Sequence, residues 1–402
     1  MTRLSASTFR LVLLVSCAHA LVHTFELALP AVEQMIAAEF PGVGKVQTGE
    51  LGLLWRLPFG LGAILAGWLA DRYGSKPLLI IYLLGCSATA CLTWWAPTFG
   101  ILAGVMFTMG CFASIYHPAG LALISRESTP ENRGTALGWH GILGSLGIAG
   151  APFCASLVFQ SGNVSWRDYY LRLTIPAVFI AVLLGVSVRR DRARERVKPT
   201  TPVLAATTES LPWRNFLVLV LAGATSGFVY AAFMQFLPRY MDGANLKPDG
   251  WTDESFRNAL ATAVLLCAAV GQAIAGKLCR PGRLETLLVV VLFANVPPLL
   301  WMSVAEGSQR FIAACLLALV HFMNQPIYNS LIAQVVPSSR RSTGYGFSNM
   351  MCFGVGALGP FFAGRIESDG GVYALLAVFA AISGCCALGV RALRVPETPS
   401  PA

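Results

Sequence analysis

RRDRARERVKPTTPVLAATTESLPWR, from Arg189 to Arg214, divides the chain. It is densely charged at first and then rich in Pro, Thr and Ala, which suits a solvated connector. A helix needs about 20 apolar residues to cross the hydrocarbon core of a bilayer. Upstream of the connector, runs of that kind lie near 9–36, 47–70, 77–96, 99–125, 134–160 and 168–188. Downstream they recur near 215–240, 255–278, 284–304, 309–336, 342–366 and 371–391. The expected fold is all-α and integral to the membrane. Twelve transmembrane helices form a six-helix bundle over 1–188, a cytoplasmic linker over 189–214 and a second six-helix bundle over 215–402.

Composition supports lipid as the main solvent. Of 402 residues, 55% are hydrophobic and 12% charged, with a mean hydropathy of +0.63. A soluble domain carries about 25% charged residues, so soluble enzymes and nucleic-acid binders are excluded. The first run carries His19, His23 and Glu26 and lacks a small-residue cleavage site, so it reads as a retained span rather than a signal peptide. Eleven cysteines, nearly all in or beside apolar runs, read as packing residues. No CxxC and no finger-like Cys/His spacing occurs, so neither a metal nor a cofactor is expected.

The net charge of +9 is distributed asymmetrically. With the N-terminus inside, 20 of the 29 Lys and Arg residues fall in cytoplasmic segments, eight lie opposite, and Arg56 lies within a span. The positive-inside bias therefore puts both termini in the cytoplasm, in a bacterial inner membrane. Trp94, Trp95, Trp166, Trp213, Trp251 and Trp301 fall where an interfacial aromatic belt is expected.

The halves repeat one another. At an offset of 209, GAILAG from Gly62 meets GQAIAG from Gly271. At 208, His117 and Pro118 fall on Gln325 and Pro326, RGTALG from Arg133 on RSTGYG from Arg341, and Pro152 on Pro360. Two pseudo-symmetric bundles that rock about a site at their interface are the architecture of a transporter.

After the second run comes GWLADRYGSKPLL, which resembles the loop signature of the major facilitator superfamily through Gly67, Asp71, Arg72, Gly74 and Lys76, with Ser75 where a basic residue is usual. The resemblance implies that this loop latches the two bundles on the cytoplasmic side. Asp71 can pair with Arg133 or face a helix N-terminus, and Gly74 permits a tight turn. GIAGAPFCAS from Gly147 is similar to the antiporter motif of that superfamily. Its mate, VGALGPFFAG from Val355, fits about as well, so Gly147, Pro152, Gly359 and Pro360 also read as helix-packing residues. Met106 stands where many proton-coupled exporters have an arginine. ASIYHPAG and the histidine–acid pair of the first span resemble fosmidomycin-resistance-like members.

All five histidines fall within spans, where ionisable groups mark function. His19, His23 and Glu26 share one helix face, with Glu33 further along it. Glu26 is the expected proton carrier, with His23 and His19 beside it. Arg56 lies about 14 Å in from the outer end of its span and Glu26 about 25 Å up from the inner end of its own, so their depths coincide in a ~35 Å helix. Arg56 can pair with Glu26 or hold an anionic group. His117 before Pro118, with Tyr116, His140, Tyr230, Gln235, Asn324, Gln325 and Tyr328, completes the expected substrate contacts. The second bundle has no acidic residue deep in a span, so coupling is expected in the first. The leading reading is a monomeric, proton-coupled exporter of a small organic compound. Proton-coupled uptake of a small organic anion is the alternative. An enzyme is not expected, since no HExxH or Walker motif is present.

Overall fold

A computed structural model describes residues 5–129, 132–195, 212–280, 282–337 and 341–393, without the side chains of 188–195 and 341–343. Most of the expected linker, Arg340 and both chain ends lie outside the described residues. Among the described residues, twelve helices are long and apolar enough to span a bilayer: α1 Ala6–Glu39, α2 Lys45–Tyr73, α3 Ser75–Trp95, α4 Phe99–Glu127, α5 Arg133–Phe159, α6 Trp166–Ser187, α7 Trp213–Asp242, α8 Asp253–Leu278, α9 Leu284–Val304, α10 Ser308–Val335, α11 Gly344–Gly364 and α12 Asp369–Ala392. The chain is a multi-pass membrane protein. The sixth helix runs on to Glu195, so it enters the stretch expected to be linker.

Three helices depart from regular geometry, each near a proline. Pro118 has no N–H, and its ring clashes with the carbonyl four residues back, that of Ser114. The chain responds with a turn at Ser114 and Ile115, between Phe99–Ala113 and Tyr116–Glu127. Pro297 and Pro298 likewise follow a break at Asn295 in α9, and a π-helical segment, Met350–Val355, precedes Pro360 in α11. In contrast, α10 is continuous through Pro326, because a proline can be absorbed as a bend without ending a helix.

Lipid gives helices no hydrophobic reason to associate, so close packing and hydrogen bonds must hold them together. A Cβ at Gly147 would overlap the Ala20 carbonyl, which seats α5 on α1; one at Gly359 would overlap the Phe228 carbonyl, which seats α11 on α7. Tyr82 and Tyr116 are fully buried and donate to the carbonyls of Ala18 and Val15, at 3.0 and 2.8 Å, tying α3 and α4 to α1. Leu65, Leu157, Ile175 and Val304 remain exposed on the outside of the bundle, a surface that only lipid tolerates.

The two ends of the bundle differ. On the α1–α2 side, one apolar cluster joins Leu27, Ile148 and Ala151 of the first half to residues of α7, α8, α10 and α12. On the α2–α3 side, Phe216, Leu288, Ile332 and Val390 belong to a cluster drawn from the second half. The halves are thus sealed together on the α1–α2 side.

The aromatic belt needs one correction. Trp94, Trp95 and Trp213 are exposed, whereas Trp166 is buried and donates its indole N–H to Glu39 at 2.5 Å. Its amphipathic ring is used inside the protein.

Candidate functional site

The center of the molecule is built on α1. Spacings of four and three put His19, His23 and Glu26 on one helix face, and all three are buried. Arg56 of α2 donates through Nη1 to Glu26 Oε1, as coincident depths require. Both side chains are 2% exposed or less on a whole-residue basis. Tyr230 of α7 donates to the same oxygen at 3.2 Å, and its ring lies 5.6 Å from the guanidinium. The buried carboxylate is therefore contacted from both halves. Arg56 Nη2 is buried and has no hydrogen-bond partner.

Behind Glu26 runs a chain of rings. His23 Nδ1 is 2.8 Å from Glu26 Oε2, His23 Nε2 is 3.2 Å from His19 Nε2, and His19 Nδ1 is 2.8 Å from the His140 carbonyl. A carbonyl only accepts, so His19 Nδ1 carries a hydrogen; an ionised carboxylate only accepts, so His23 Nδ1 carries one too. In neutral rings both Nε2 atoms then present lone pairs to each other. They attract only if something electron-poor lies between them.

The His19 ring stacks on His140, with centroids 3.9 Å apart, and on Tyr116, at 5.1 Å. Tyr116 spends its hydroxyl hydrogen on Val15, so it accepts from His140 Nε2 at 3.1 Å. The α4 break brings His117 beside this stack, with its ring 5.3 Å from His19 and 5.5 Å from His23. Phe59 and Phe353 flank His117 at 5.7 and 5.9 Å, and its Nε2 is buried without a partner.

The other expected contacts are scattered. Gln325 accepts from Gln272, which accepts in turn from Ser145, a short chain across the two halves. Asn324 donates to Ser226 at 3.0 Å and keeps an unpartnered Oδ1. Gln235 lies toward the α1–α2 side, donating to the Thr48 carbonyl at 3.3 Å. Tyr328 bonds Ser348 at 2.7 Å inside the second half. His321 pairs with Asn295 at 2.9 Å and stacks 6.3 Å from Tyr230.

Sequence reasoning missed the closure on the α1–α2 side. Glu33, 1% exposed, accepts a fork from Arg239, Nε to Oε2 at 2.9 Å and Nη2 to Oε1 at 2.8 Å, and also a bond from Thr48. Gln34 donates to Asp242 at 2.5 Å, Asn258 to the Ala31 carbonyl at 2.9 Å, and Arg365 to Glu50 at 2.5 Å. Glu33 shares the face of Glu26, which was a signal; nothing local marked Arg239 as its partner.

The loop after α2 turns at Gly74, whose φ of +89° favors glycine. Asp71 pairs with Arg126 at 3.8 Å instead of Arg133, because Arg133 donates to the Ser125 carbonyl at 3.2 Å. Arg126 also donates to Ser75 at 3.1 Å, so the serine at the basic position serves as an acceptor. Arg72 lies over Trp68 and Tyr73, at 5.4 and 5.6 Å. Gly67 lies near Pro118 of α4, and Lys76 lies in the first turn of α3.

Comparison with known proteins adds four findings. The family model described as Major Facilitator Superfamily matches residues 13–360. The 3-(3-hydroxy-phenyl)propionate transporter of Escherichia coli (strain K12) is 27% identical over 383 residues, 91% of this chain and 89% of that one. The Tetracenomycin C resistance and export protein of Streptomyces glaucescens is 24% identical over 67% of this chain and 44% of its own. In fold, the chain is similar to a bacterial homolog of the human lysosomal transporter Spinster, solved in an inward-facing and occupied conformation. The TM-score is 0.77, with 15% identity and 100% of both chains covered.

Proposed function

This chain belongs to the Major Facilitator Superfamily, and from that premise we propose that it carries a small organic anion together with a proton by alternating access. The observation behind this reading is the buried Glu26, held by Arg56 and His23 and touched by Tyr230 from the other half. When Glu26 takes a proton, Arg56 loses its counter-charge. The guanidinium, with Nη2 already unpartnered, can then offer a fork to a carboxylate. Proton and anion are bound in the same step, which is symport. His23 and His19 extend the proton's path toward His140 and His117. A proton taken up at His23 Nε2 lets the ring pass its Nδ1 hydrogen to Glu26.

Tyr230, Asn324 and Gln325 supply contacts from the second half, and His117, Tyr116 and His140 from the first. The bundles 1–188 and 215–402 move as the two rocking units, in a bacterial inner membrane with both termini cytoplasmic, as a monomer. The loop of Gly67, Asp71, Arg72, Gly74 and Lys76, with Arg133, latches the α2–α3 side when that side closes. The relative with near-complete coverage is named for an aromatic carboxylate, which supports an anion of that class.

A second reading, proton-driven export of a small organic compound, is favored by the relative named for resistance and export and by the GIAGAPFCAS segment. Reconstituted vesicles with an interior pH dye separate the two. Adding 3-(3-hydroxyphenyl)propionate and other small carboxylates outside should acidify the interior in the wild type. Glu26→Gln should exchange labelled anion without moving protons. Proton movement equal to wild type in that variant would sink the coupling role, and protection from toxic compounds in an exporter-stripped host would favor export.

A further inference from the structure

Three histidines meet where two of them, on their own, would repel. One ligating nitrogen from each of His19, His23 and His117 lies within 4.8 Å of the other two. We propose that these residues form a binding site for one late first-row divalent transition-metal ion, for which Zn²⁺ is the probe.

The first support is tautomeric. Each of the α1 imidazoles has its Nδ1 committed, His19 to the His140 carbonyl and His23 to Glu26, both at 2.8 Å. That is the outer shell by which a protein fixes which nitrogen of a metal-binding histidine faces the ion. The two Nε2 lone pairs converge at 3.2 Å. With Zn–N bonds of about 2.1 Å, a 3.2 Å separation subtends about 100° at the metal, between octahedral and tetrahedral values.

The second support is His117. Its Nε2 is buried without a hydrogen bond, an unusual state for an imidazole nitrogen, and the residue as a whole is only half-buried. It needs to move inward by on the order of 1 Å to complete three ligands, a shift within reach of a side chain that no hydrogen bond at Nε2 holds. Imidazole-only coordination selects Zn, Cu or Ni over Mg or Ca. Glu26 and Arg56 cancel each other's charge, so the fourth position takes water, hydroxide or an anion. His140 stays outside the set, because its Nε2 is engaged with Tyr116.

These are residues that the coupling reading assigns to a proton, and an ion here would replace that proton. The metal test does not depend on transport. The full-length protein, purified with a tag free of histidine and treated with chelator, is titrated with Zn²⁺ alone at pH 7.5. Bound metal is counted by elemental analysis. One Zn²⁺ per chain is expected, with affinity reduced at least tenfold in His19→Gln, His23→Gln and His117→Gln and unchanged in His321→Gln. Absence of stoichiometric Zn²⁺ in the wild type overturns the site, as does binding that survives the three substitutions together. If a variant fails to fold, Co²⁺ added to the wild type carries the test: strong visible d–d bands of a low-coordinate nitrogen site are expected, and weak six-coordinate bands of hydrated Co²⁺ overturn it. Loss of pH-driven flux in Glu26→Gln without any Zn²⁺ binding would leave coupling standing and the metal site refuted. Zn²⁺ binding with proton movement unaffected by Glu26→Gln would do the reverse.

Discussion

Replacing Glu33 with Gln should unseat the closure on the α1–α2 side. In the sealed state its carboxylate accepts two bonds from Arg239 and one from Thr48, and it is 1% exposed while the Arg239 side chain is 26% exposed. When the halves part on this side, both groups become hydrated and the pair contributes nothing. The pair's net worth in the sealed state is therefore a conformational bias. A hydrogen bond to a charged group contributes about 1.5–3 kcal/mol, and exposed ion pairs contribute under about 1 kcal/mol. For one buried and one partly exposed partner we take about 2 kcal/mol, which corresponds to a roughly thirty-fold change in the ratio of sealed to open forms.

Hydrogen exchange followed by mass spectrometry reads that ratio without labels, which suits a chain with eleven cysteines. Peptides over 28–50 and 236–258 should exchange faster in Glu33→Gln and in Arg239→Gln than in the wild type. The double variant should match either single one, because each substitution destroys the same pair. Effects of the two substitutions that simply add, or exchange unchanged from wild type in both, would refute the pair as the closing element.

Three further outcomes follow from the packing and the loop. Gly147→Val and Gly359→Val place side-chain atoms on the carbonyls of Ala20 and Phe228, so each should lower the thermal midpoint by several degrees, a cost of roughly 1–3 kcal/mol or more; a fluorescence-detected melting curve checks it. Asp71→Asn removes only an exposed pair at 3.8 Å and should change stability by less than about 0.5 kcal/mol. Slower turnover at unchanged melting temperature would mark Asp71 as part of the latch, and unchanged turnover would remove it. Pro118→Ala restores a donor at the α4 break. It should weaken transport, since His117 and Tyr116 leave the stack and the Tyr116–Val15 bond is lost; transport at the wild-type rate would show that the break does not position them.

The twelve spans were legible because bilayer thickness imposes a length on every crossing and composition exposes it. The Glu26–Arg56 pair was legible for a related reason. Depth along a straight rod is a matter of counting residues, and coincident depths leave two buried opposite charges few other partners. Angular position about each rod cannot be counted. It is fixed by where Gly147 lets α5 close on Ala20 and by how far the turn at Ser114 and Ile115 rotates the second part of α4. The His117 nitrogen consequently arrives beside His19 and His23 without any local spacing to announce it. Arg239 reaches Glu33 the same way, and Asp71 takes Arg126 instead of Arg133 because the α4 end, not the loop beyond it, faces the turn at Gly74.

That distinction also explains why the central chain is better determined than the contacts around it. Glu26, His23 and His19 lie on a single helix, so their mutual geometry is set by the helical repeat and survives rigid motion of the halves. Tyr230 touches Glu26 from α7, and Ser145 reaches Gln272 across the same boundary. These contacts exist only for one relative placement of the bundles. The proposed alternating-access cycle would break them while leaving the α1 chain intact. The proposed proton path therefore lies where geometry is invariant. Tyr230 and Arg239, which contact Glu26 and Glu33, come from the half that would move past it in the proposed cycle.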